Sequence, residues 1–161
     1  MKETIREMTP KQLVASMFNG ATSPVTEEEY KLLGISKFNM FKRKKFRDVY
    51  RSLMLYLIKR AIPGAFPEHA SIILETYDEF FQVVCKDYPQ ATRKLEERLL
   101  KFEELVESEK EQPFLNLSLY ISEMFEDRPK KLTYAAKLNN RIETLFSTLL
   151  TLGKEIKIKE K

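Results

Sequence analysis

The chain has 161 residues, of which 43 % are hydrophobic and 32 % charged, with 4 glycines, 11 phenylalanines and 7 tyrosines. That length can bury a core without disulfides or metals, the aromatic content argues against disorder, and four glycines are too few for the tight turns of a sandwich or barrel. The formal net charge of +4 is unevenly laid, with 13 Lys/Arg against 6 Asp/Glu in residues 1–62, 6 against 15 in 63–127 and 9 against 3 in 128–161.

Thr9-Pro10 opens the first predicted helix, since threonine caps a helix and proline suits its first turn. Leu13, Val14, Met17 and Phe18 form its apolar side, and Asn19-Gly20 ends it. Thr26-Glu27-Glu28-Glu29 has capping-box spacing, and the helix it starts should end at Gly34. Ser36 offers a cap for the next one. From there to Ile62 the pattern is helical: Phe46, Val49, Tyr50, Leu53, Tyr56 and Leu57 fall on one face. Continued backwards, that face would bury Lys42, which predicts a break near residues 42–45 with a short helix before it. Phe38, Phe41 and Phe46 are expected to pack inward. Pro63-Gly64 should close the long helix.

Between Pro67 and Asp87, Ile73, Tyr77, Phe80, Val84 and Tyr88 keep helical spacing, and the broad face they form predicts a central helix. Pro89 opens a surface helix to about Glu111, with Leu95, Leu99, Phe102 and Val106 as its narrow apolar face. Pro113 restarts the chain, and Leu117, Ile121, Met124 and Phe125 mark a helix to about Glu126. Pro129 opens the last helix, and Gly153 should stop it. Ile156-Lys157-Ile158 alternates like a strand but is too short and lacks a visible partner, so residues 154–161 read as a frayed tail.

The expected architecture is all-α, a multi-helix bundle of about seven helices. It divides into a basic N-terminal helical module, residues 1–62, and a C-terminal bundle, residues 63–161, packed as one compact unit.

Catalytic and cofactor chemistry finds few residues. His69 and Cys85 are the only histidine and cysteine, which excludes a zinc set and a disulfide framework. No glycine-rich phosphate loop occurs. The reading is a non-enzyme without metal or cofactor. The longest apolar run, Leu53 to Ile58, is far short of the roughly 20 residues that span a bilayer. No signal peptide is legible at the start of the chain. A cytoplasmic protein with a reduced thiol is expected.

The basic segment 37–51 carries Lys37, Lys42, Arg43, Lys44, Lys45, Arg47 and Arg51 against one acid, Asp48. Arg43–Arg47 and Arg47–Arg51 are like-charge i,i+4 pairs, which work against a helix, and cations near a helix start oppose its dipole. Either acids of the middle segment, such as Glu96, Glu97, Glu103 and Glu104, cover the run, or it serves a polyanion. A capped helix (26–33), a turn (34–36) and a basic helix make a helix-turn-helix arrangement. Lys37, Asn39 and Lys42 would then face base edges, with Arg43, Lys44, Arg47 and Arg51 near the phosphate backbone.

Val25-Thr26-Glu27-Glu28-Glu29-Tyr30-Lys31-Leu32-Leu33-Gly34-Ile35-Ser36 resembles the second helix and turn of the TetR family of helix-turn-helix regulators. Phe41 would match the aromatic residue that ends the family's recognition helix, although Tyr30 stands where the family carries a small residue. The resemblance spans residues 9–60. It implies double-stranded DNA as partner and a helical C-terminal part that carries the dimer interface; no effector ligand is legible. The alternative is a non-catalytic adaptor or chaperone-like module. Its partner, or a second copy of the chain, would lie on the stripe Leu138, Ile142, Leu145, Leu149 and Leu152. A third reading gives the basic segment and its aromatics to anionic lipid or RNA.

Overall fold

A computed structural model of the protein describes residues 4–125 and 131–160. The order of elements is β1 (Arg6–Met8), α1 (Pro10–Ala21), α2 (Glu27–Leu32), α3 (Met40–Ala65), α4 (Ala70–Cys85), α5 (Pro89–Glu107), α6 (Leu115–Glu123), α7 (Lys131–Glu155) and β2 (Ile156–Ile158). Among the described residues this is an all-α, multi-helix fold with one short two-stranded sheet. The expected positions of Pro129 and Glu126 at helix ends lie outside the described residues.

Both N-terminal capping motifs form as their sequences imply. Thr9 Oγ1 accepts the Gln12 N–H, and the Gln12 side chain returns to the Thr9 N–H. Thr26 and Glu29 do the same for α2. Each box satisfies two backbone donors that a helix start leaves without partners. Gly34, just past the end of α2, takes φ +63, a left-handed conformation that glycine adopts without steric cost. A Cβ there would also collide with the Tyr134 ring.

The break expected at residues 42–45 is absent: α3 is one helix of 26 residues. Lys42 escapes burial because it lies in the first turn and its flexible stem carries the ammonium to the Phe125 carbonyl at 3.0 Å. The expected stop at Pro63 is absent too. Proline removes the one hydrogen bond its own nitrogen would donate, while the last turn still closes through Phe66 N–H to the Ile62 carbonyl at 2.9 Å.

Gly153 lies within α7 and does not stop it. Its role is spatial, because a Cβ there would strike the Ala65 carbonyl. A Cβ on Gly64 would come within 2.7 Å of the Leu150 side chain. The two glycines let the ends of α3 and α7 approach backbone to backbone.

Residues 156–158 are not frayed. They form β2, paired in parallel with β1, with Arg6 opposite Ile156 and Met8 opposite Ile158. Lys159 N–H donates to the Met8 carbonyl at 2.8 Å, and Lys159 pairs with Glu7.

The chain groups into two units, neither continuous in sequence. One comprises Met1–Ser23, Met54–Lys94 and Leu145–Lys161, the other Pro24–Leu53 and Leu95–Thr144. The boundary therefore falls inside α3, α5 and α7, whereas the sequence-based division falls at residues 62 and 63. In the first unit, Leu13, Val14, Met17 and Phe18 of α1 pack with Ile73 and Tyr77 of α4 in the core. The Phe18 ring lies 5.0 Å from Tyr77 and 4.7 Å from Phe80. Tyr77 Oη donates to the Leu55 carbonyl at 3.1 Å, and burial pushes its hydroxyl pKa far up. The far end of the α4 stripe departs from expectation: Val84 and Tyr88 are exposed. In the second unit, Phe46 is the centre of an aromatic cluster with Tyr30 at 5.5 Å, Tyr50 at 5.4 Å and Phe125 at 5.6 Å.

Gly153→Ala should therefore be destabilising, by about 1–3 kcal/mol, the usual cost of overpacking, which lowers Tm by roughly 3–10 °C. Gly20→Ala is the control, because a Cβ at Gly20 meets nothing within 4 Å. It should leave Tm unchanged or raise it, since alanine is the better helix former. Thermal melts followed by circular dichroism check both, and an unchanged Tm in Gly153→Ala would contradict the close approach.

Candidate functional site at the head of α3

The approach to α3 is a turn tied by its own polar groups. Ser36 Oγ accepts the Phe38 N–H at 3.3 Å, and the Ser36 carbonyl accepts the Asn39 N–H at 3.1 Å. Asn39 then caps α3: its Oδ1 accepts the Lys42 N–H at 3.1 Å and its carbonyl accepts the Arg43 N–H at 3.0 Å. The cap is thus Asn39, three residues beyond the expected Ser36. The expected short recognition helix does not form, and Lys37 and Asn39 lie on the turn.

Arg43 is held within the fold. Its guanidinium bonds both oxygens of Glu27, at 2.6 and 2.8 Å, and donates through Nε to the Ser36 carbonyl at 3.1 Å. It also lies 4.2 Å from the centre of the Tyr30 ring, and its side chain is only 12 % exposed. This fork-on-fork pairing with a stacked aromatic is geometry that lysine cannot supply. Hydrogen bonding to Arg43 holds the Glu27 carboxyl below its ordinary 4.5, and Glu27 in turn raises Arg43.

Lys42 and Lys45 meet the C-terminal end of α6. Lys42 Nζ donates to the Phe125 carbonyl at 3.0 Å and Lys45 Nζ to the Met124 carbonyl at 3.2 Å. Lys45 also lies 5.3 Å from the centre of the Phe125 ring. Two ammonium groups therefore meet main-chain carbonyls just past the end of α6. The carboxylate bound to the basic run, Glu27, belongs to α2, and the middle segment contributes main-chain carbonyls through α6. Arg98 of α5 donates to Ser52 Oγ of α3 at 2.9 Å.

Lys37, Lys44 and Arg51 are exposed and Arg47 is half-buried. On a helix turning roughly 100° per residue, Met40, Phe41, Lys44, Arg47 and Arg51 lie opposite the buried Phe46, Val49, Tyr50 and Leu53. This outer stripe begins apolar and continues cationic, with Asp48 as its one acid.

Phe46 packs inward as expected, but Phe38 and Phe41 do not. Both are 90 % exposed, and Met40 between them is 65 % exposed. The signal was present in the spacing, since Phe41 stands five residues before Phe46, about 140° away on a continuous helix. The assumed break hid it.

The expected partner stripe on α7 divides. Leu138 and Ile142 are 0 % exposed and belong to the core, so they offer no free surface. Leu145, Leu149 and Leu152 are half-buried. Leu149 and Leu152 line a cavity of about 530 Å³ together with Met17, Met54, Ile58 and Ile156. His69 is half-buried at the start of α4 without a capping bond, and Cys85 is half-buried at the end of that helix. No group of three or more His, Cys, Asp or Glu among the described residues could hold a metal ion, and no helix there is long and apolar enough to cross a membrane. No family model, curated protein or solved structure matches the chain.

The Glu27–Arg43 pair has a pH signature. A carboxyl whose pKa is lowered by folding stabilises the folded chain above its ordinary value near 4.5 and loses that contribution as the pH falls through the lowered value. Glu27→Gln should therefore be less stable than the parent at neutral pH, with a shallower loss on acidification. Urea melts from neutral pH into the acid range measure this. A stability gap that stays constant below pH 4 would mean that the charge of Glu27 contributes nothing.

Proposed function

We propose that this chain is a non-catalytic binding protein that holds a phosphate-rich, anionic partner against the outer stripe of α3. The observation that carries this reading is the alignment of Lys44, Arg47 and Arg51 along one face of α3 below Lys37. A line of cations that the fold leaves at the surface costs helix stability and attracts anions along its length.

The reading keeps the polyanion expected from the sequence but changes how it is met. Base readout in a major groove would call on Lys37, Asn39 and Lys42, with Arg43 beside them on the phosphate backbone. Asn39 Oδ1 is occupied by the cap, Arg43 by Glu27, and Lys42 is directed at the end of α6. The residues left exposed suit contacts to phosphate, which carry affinity without sequence information.

Retention on heparin, a general polyanion, tests the reading. Lys44→Glu/Arg51→Glu should elute at clearly lower salt than the parent. In solution, the dependence of log affinity on log salt should lose roughly one unit of slope per contact removed. Lys154→Glu/Lys157→Glu makes an equal charge change on exposed residues of the other unit and should have the smaller effect. Equal loss in both variants would reduce the stripe to a share of the net charge and overturn the reading.

A further inference from the structure

The geometry points to an anionic lipid bilayer as the partner of the α3 head, with Phe38, Met40 and Phe41 inserted at the level of the lipid headgroups; the inference rests on the anion-binding reading of the same stripe. Three large apolar side chains within four consecutive residues stand 90 %, 65 % and 90 % exposed at one end of a helix. Scattered apolar residues on a surface need no explanation, but a contiguous group bordered by cations does. Lys44 lies four residues after Met40 and three after Phe41, hence on the same side of the helix, and Lys37 precedes Phe38. Aromatic and aliphatic tips enter the boundary between headgroups and acyl chains, while neighbouring lysines stay among the lipid phosphates.

Nucleic acid fits the same residues less well. Single strands are held by bases stacked on flat side chains, and Met40 offers no flat face. The side chain best suited both to phosphate and to stacking is arginine. The one arginine beside the exposed rings, Arg43, is bound to Glu27 and Tyr30, and Arg47 and Arg51 lie roughly 9 and 15 Å further along the helix from Phe41. Lysine, a compact point charge, suits a diffuse anionic surface.

The whole chain is tested by co-sedimentation with vesicles of phosphatidylcholine alone and of equimolar phosphatidylcholine and phosphatidylglycerol. A single-stranded oligonucleotide is measured beside them. The parent should bind the mixed vesicles, ignore the neutral ones and dissociate as salt is raised. Phe38→Ser/Phe41→Ser should weaken vesicle binding about tenfold or more while heparin retention stays unchanged. Because both rings are exposed, the variant should keep the parent's melting temperature. Lys44→Glu/Arg51→Glu should weaken vesicle binding more than tenfold and heparin retention as well. The chain has no tryptophan, so Phe41→Trp supplies a single reporter whose emission should shift to the blue on mixed vesicles.

Equal vesicle binding by the parent and Phe38→Ser/Phe41→Ser, or an unshifted Phe41→Trp, would overturn the insertion and leave the anion-binding reading intact. Oligonucleotide binding that needs both phenylalanines, with no vesicle binding, would make the head a base-stacking surface and overturn the lipid assignment. Heparin retention unaffected by Lys44→Glu/Arg51→Glu would overturn the underlying reading itself.

Discussion

Burial of Phe46 among Tyr30, Tyr50 and Phe125 sets the rotation of α3 about its own axis. Once that ring is inside, with Val49 and Leu53 on the same side, the opposite side of the helix has no freedom left. Met40, Phe41, Lys44 and Arg51 are exposed because Phe46 is not. The aromatic cluster is the larger energetic term, since truncating a buried phenylalanine typically costs about 3–5 kcal/mol, more than exposure of a few surface side chains can offset. The surface composition of α3 is thus a consequence of its core.

Electrostatics then sorts the cations of the basic run. Arg43 stands on the Tyr30 side of the helix and finds Glu27, which the capping box of α2 places at the first helical position. Lys42 and Lys45 reach the carbonyls that end α6. These three positive groups have partners within the fold, Arg43 largely buried and Lys42 and Lys45 still exposed. Lys37, Lys44 and Arg51 are left facing solvent. Three of the seven cations of the basic run are therefore structural, and Lys37, Lys44, the half-buried Arg47 and Arg51 define the candidate site. Linear charge density alone does not separate the two, because the separating factor is which side of α3 each residue occupies and what packs there.

Proline and glycine show the same division between local signal and spatial use. Pro63 removes a single hydrogen bond, and the last turn of α3 closes around it. Gly153 sits inside α7 where the Ala65 carbonyl leaves no room for a Cβ. Read along the chain, both residues look like helix stops; in three dimensions one is tolerated and the other is a contact. The grouping into units follows from the same helices. At 26, 19 and 25 residues, α3, α5 and α7 are long enough that each contributes to both units, and no change of composition along the chain marks that division.

What the sequence determined by itself is what depends on neighbours within a few residues. The helical content, the two capping boxes, the left-handed glycine after α2 and the inner face of α3 all follow from local hydrogen bonding and the 3.6-residue period. The exposed head of α3 belonged to this class too, since the spacing from Phe41 to Phe46 carries it once the helix is continuous. Only the tertiary structure decided the remainder. The acceptor that the Lys42 ammonium meets is a carbonyl 83 residues away. The pairing of Arg6–Met8 with Ile156–Ile158 joins the two ends of the described chain, and the assignment of Arg43 to Glu27 depends on how α2 folds back on α3. Each of these is a meeting of segments distant in sequence, where the favourable contact exists only after the chain has closed on itself, so no local pattern encodes it.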